Sequence, residues 1–71
     1  MNKDLLEGKW TQFRGAVRET WGKITDDELD QIAGKWDRLV GKVQEKYGYT
    51  REEAEDQIDN LMAKMESRFS V

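Results

Sequence analysis

Seventy-one residues, 38% of them charged, with a net charge of −3 and no cysteine, histidine or proline, describe one small domain, 1–71, rather than several. Without Cys and His there is no disulfide, thiolate nucleophile or imidazole base, and none of the usual zinc or haem ligand sets. Carboxylates alone can hold calcium, but no Asp-x-Asp-x-Asp-Gly loop occurs, so neither a metal nor a cofactor is expected.

The predicted elements are all helical, as the missing proline and the density of charge favour. Asn2 or Asp4 caps a first helix on which Leu6, Trp10, Phe13, Val17 and Trp21 follow at spacings of 4, 3, 4 and 4. At 100° per residue they fall within roughly 80° of one another, a narrow apolar stripe. Gly22 then ends the helix as a left-handed C′ residue. Thr25-Asp26-Asp27-Glu28 is a capping box opening a second, short helix with Leu29, Ile32 and Ala33 inward. Gly34 predicts a kink or tight break. Ile32, Trp36, Leu39, Val43 and Tyr47 reproduce the first stripe at the same spacings into a third helix, which Gly48 ends. Thr50-Arg51-Glu52-Glu53 is a second capping box, and the last helix presents Ala54, Ile58, Leu61, Met65 and Phe69, fraying from Ser67.

These four helices are two copies of one unit. Gly8-Lys9-Trp10 returns 26 positions later as Gly34-Lys35-Trp36, Gly15 as Gly41, Gly22 as Gly48, and Asp30-Gln31-Ile32 as Asp56-Gln57-Ile58. The expected fold is a small four-helix bundle of two duplicated hairpins, about 8–33 and 34–59. Short acidic helices beside longer basic ones favour packing at a steep, near-orthogonal angle.

Charge alternates along the chain. Lys9, Arg14, Arg18 and Lys23 precede Asp26, Asp27, Glu28 and Asp30; Lys35, Arg38, Lys42 and Lys46 precede Glu52, Glu53, Glu55 and Asp56. Complementary packing and helix-end electrostatics account for this, and a phosphate-binding face is the alternative. The acidic runs read as caps rather than as a catalytic pair, which needs two carboxylates with divergent pKa values in a cleft. The three tryptophans serve as core, or near a helix end as the wall of a groove. Gly15 and Gly41 lie mid-helix, where each costs ~1 kcal/mol against alanine. Close backbone approach, a remnant of duplication, or a deliberately weak helix are the three explanations.

The opening Met1-Asn2-Lys3-Asp4, the run from Gly8-Lys9-Trp10 through Trp21-Gly22-Lys23-Ile24-Thr25-Asp26-Asp27, and Leu39-Val40-Gly41-Lys42-Val43-Gln44-Glu45-Lys46-Tyr47-Gly48-Tyr49 resemble the CsbD-like family from Met1 to about Ile58. The resemblance implies a bundle of two roughly orthogonal hairpins and a place among bacterial stress-response proteins. It carries over no catalytic residue and no cofactor.

The expectation is a non-enzymatic, cytoplasmic protein acting through binding, with Arg14, Gly15, Arg18, Gly41, Lys42 and Lys46 as its candidate interaction surface. A protein partner or self-association is favoured. Nucleic acid held by the two basic helices is the alternative, disfavoured by the net charge of −3. No apolar run nears the ~18 residues of a membrane span, and the N-terminus lacks a signal-peptide core, so no stable membrane insertion is expected.

Overall fold

The computed structural model describes residues 2–69, with side chains from Lys3 to Ser67. Its helices are α1 (Asn2–Gly8), α2 (Trp10–Thr20), α3 (Asp26–Ile32), α4 (Trp36–Tyr47) and α5 (Arg51–Phe69), with no strand among the described residues. The class is all-α, as expected. The expected Asn2 cap and the Phe69 end of the last stripe lie outside the described side chains.

Five helices stand where four were expected, because the first is divided at Lys9. That residue leaves helical geometry at φ −119° and ψ 26°. Gly8 beside it holds a helix weakly. The bonds Lys9 N–H to the Leu5 carbonyl and Phe13 N–H to the Lys9 carbonyl, 3.0 Å each, bridge the break, and Leu6 and Phe13 on its two sides are both buried.

Both capping boxes form. Thr25 Oγ1 accepts from the Glu28 N–H at 3.2 Å, and Glu28 Oε1 accepts from the Thr25 N–H at 3.0 Å. The same pair of bonds joins Thr50 and Glu53 at 3.1 and 2.9 Å. Gly48 closes α4 at φ 72°, its N–H on the Gln44 carbonyl at 2.8 Å. Gly22 does not take the left-handed role. The α2 end falls to Trp21 at φ −121°, whose N–H bonds the Val17 carbonyl. Nor does Ala33 face inward: it is exposed, caps α3 at φ 50°, and hands over to Gly34 at φ 79°. Two consecutive left-handed residues make the break between α3 and α4 sharp.

Leu6, Phe13, Val17 and Trp21 of the first stripe are buried, as are Leu29 and Ile32 of α3 and Trp36, Leu39 and Val43 of α4. Ile24 and Val40 join them, although neither belongs to an expected stripe. On α5 the buried line is Ala54, Ile58 and Met62, with Leu61 and Met65 at its edge. The register shifts by one because α5 lies against α4, α2 and α1 together, and three neighbours need a broader face than one. In contrast, among the described residues, α3 runs close beside α2 and α4, whose backbones do not approach each other.

Candidate functional site

The position of α3 between α2 and α4 organises the charged surface. Buried Ile24 anchors the turn that delivers Thr25, the capping box starts the helix, and Leu29 and Ile32 hold it to the core. Its first-turn acids Asp26, Asp27 and Glu28 suit the positive end of a helix dipole. Asp26 and Glu28 also meet bases of the two neighbours.

Toward α2, Arg14 pairs with Asp30 at 2.8 Å and Arg18 with Asp26 at 2.9 Å. The crossed order, 14 with 30 and 18 with 26, is that of antiparallel neighbours whose charges repeat every four residues. Toward α4, Lys42 and Lys46 both reach Glu28 Oε2 at 3.1 Å. The candidate surface is thus divided by α3, with Arg14 and Arg18 on one flank and Lys42 and Lys46 on the other.

The two flanks differ in depth. The Glu28 side chain is 16% exposed, against 78% for Asp26 and 64% for Asp30. Glu28 accepts from the Thr25 backbone and takes both lysines, which together bring its pKa from 4.5 to about 2. Lys42 is raised above its usual value, first by its bond to Glu28. The exposed arginine pairs stand in water, where ion pairs contribute little and salt screens them.

Gly15 and Gly41 are both exposed, and a Cβ added to either would meet nothing within 4 Å. Neither mediates a close approach among the described residues. Gly41 instead lines an open groove of about 530 Å³ between α3 and α4, with Gln31, Ile32, Arg38, Lys42 and Glu45 around it. Arg38 Nη1 donates to the Gln31 carbonyl at 2.8 Å, closing one end of α3.

Among the tryptophans, Trp21 and Trp36 are buried and Trp10 is half-buried. Trp36 Nε1 donates to Glu55 at 3.1 Å, whereas Trp10 Nε1 is buried with no hydrogen-bond partner among the described residues. The sequence reading missed Glu28 as the residue joining cap and lysines. The shared four-residue spacing of Arg14/Arg18, Asp26/Asp30 and Lys42/Lys46 was the available signal.

Fold and surface together define a small all-helical domain whose short acidic helix is clasped by two basic ones; among the described residues no helix is long and apolar enough to cross a membrane. The chain belongs to the CsbD-like family, whose model matches residues 4–56. It is similar to the UPF0337 protein YjbJ of Escherichia coli, 59% identical over 29 residues, which are 41% of this chain and 42% of that one. It is also similar to a UPF0337 protein of Pectobacterium atrosepticum, 56% identical over 32 residues (45% of this chain, 46% of the relative). A third relative, the UPF0337 protein of Protochlamydia amoebophila, is 53% identical over 32 residues, covering 45% and 48%. The chain spans about half the length of the curated relatives it matches.

Proposed function

We propose that this chain is a non-enzymatic protein of the bacterial cytoplasm that acts in a stress response by binding another protein. In this reading residues 1–71 form one domain of two duplicated hairpins, 8–33 and 34–59, packed at a steep angle. The observation that carries the binding surface is the groove between α3 and α4. Gly41 leaves it open where any other residue would place a side chain, and the stems of Arg38 and Lys42 offer apolar surface beneath charged rims. Such a groove suits a protein side chain with a mixed polar and apolar surface.

A photocrosslinker placed at Gly41, and for comparison at exposed Asp56 on α5, tests this in a bacterium expressing the protein before and after stress. Adducts formed at position 41 and absent at position 56 support the reading. Equal adducts at both, or none, remove it.

The nucleic-acid reading is favoured by a different observation. Arg14 and Arg18 are partly exposed and lie one helical turn apart, partnered by carboxylates that are themselves exposed. Titration of the protein with a short DNA duplex at two salt concentrations, followed by tryptophan fluorescence, tests it. Salt-sensitive binding supports that reading and no binding at low salt ends it.

A further inference from the structure

The geometry points to Arg14 and Arg18 as a phosphate-contacting edge for duplex nucleic acid, held in check by Asp26 and Asp30 of the same chain. This rests on the nucleic-acid reading and narrows it: of the four bases, only the two arginines of α2 are exchangeable. Lys42 and Lys46 converge on Oε2 of one largely covered carboxylate whose other oxygen closes the α3 capping box, so drawing them away would leave a carboxylate only 16% exposed without its two cations. Arg14 and Arg18 carry no such burden. Their partners are 64% and 78% exposed, the pairs are 2.8 and 2.9 Å long, and a phosphate can replace each aspartate without moving a buried residue.

The aspartates occupy the sites that phosphates would take, as carboxylates matched one to one with guanidinium groups. An arginine accepts either anion by the same planar donor geometry. Asp26 and Asp30 are therefore intramolecular competitors that weaken duplex binding. Because exposed pairs are screened, they also make it depend on salt in two opposing ways: salt loosens the internal pairs while weakening the external ones.

The test compares the wild-type chain, D26N/D30N, and E52Q/D56N on the exposed face of α5, using one short DNA duplex over a range of salt. Both variants gain two units of charge, so a net-charge effect moves them equally. Circular dichroism first establishes that each is folded; the asparagine pair leaves Thr25 and Glu28 intact. Freeing two arginines to contact two phosphates is expected to steepen the slope of log K against log salt by about 1.8. E52Q/D56N is expected to keep the wild-type slope. R14Q/R18Q added to D26N/D30N returns binding to the wild-type level or below.

Equal slopes for wild type and D26N/D30N, with binding present, would overturn the competition while leaving nucleic-acid binding in place. A slope raised equally in both charge variants would overturn it as well, in favour of net charge. No binding by any of the three at low salt would overturn the competition and the nucleic-acid reading together.

Discussion

Gly34 is packed against Trp10: a Cβ built on Gly34 would stand 3.1 Å from the Trp10 Cβ and 3.0 Å from the Glu7 Cα. The close approach that was one explanation of Gly15 and Gly41 is found at neither; it occurs at Gly34, which was expected only as a break. The bend at Lys9 carries the end of α1 across this glycine, whose φ of 79° already disfavours a side chain. G34A therefore combines backbone strain with overpacking against main chain. A loss of about 2–3 kcal/mol is expected in urea unfolding, with Trp10 fluorescence altered in the folded state.

Gly15 and Gly41 predict the opposite. Each is mid-helix and exposed, with open space where a Cβ would go. G15A and G41A are each expected to raise stability by about 0.5–1 kcal/mol, seen as a higher thermal midpoint. A loss at either position would mean that the glycine serves a contact outside this chain's own fold, measured as a change in assembly on sedimentation.

The α5 register is tested by unequal truncations. Ile58 and Met62 are fully covered, while Leu61 and Met65 sit at the edge of the core. Ile58→Ala and Met62→Ala are expected to cost about 2–5 kcal/mol each. Leu61→Ala costs less than Met62→Ala, and a reversed order in denaturant midpoints would restore the line through Leu61.

Glu28 sets an acid limit. Its pKa is lowered from 4.5 to about 2, so the native state favours the charged form more than the unfolded chain does. The resulting stability is fully present above 4.5 and is lost as pH falls toward about 2. Wild type should exceed E28Q in denaturation midpoint at neutral pH, with the difference shrinking through that interval. Lys42 gives the mirror image: raised above 10.5, it contributes below that value and loses its contribution as pH rises through its native pKa.

Much of this molecule follows from interactions that span four residues or fewer. Thr25 with Glu28, Thr50 with Glu53, and Gly48 after Tyr47 are local devices, and each acts as its spacing predicts. The stripes from Phe13 to Val17 within α2 and from Trp36 to Val43 within α4 are equally local, since helical periodicity alone places them on one face. The CsbD-like family is legible for the same reason, being written in the glycines, caps and stripe residues.

Tertiary structure decided what depends on neighbours remote in sequence. Local rules place a break at Gly34, but only the passage of Glu7 and Trp10 beside it leaves no room for a side chain there. Likewise α5 has apolar residues at both 61 and 62, and the direction in which α4, α2 and α1 surround it selects Met62. The charge alternation was visible in the chain, but Coulomb attraction has no directional preference of its own. The seating of α3 between α2 and α4, set by Leu29 and Ile32, assigned exposed aspartates to the arginines and one covered glutamate to both lysines.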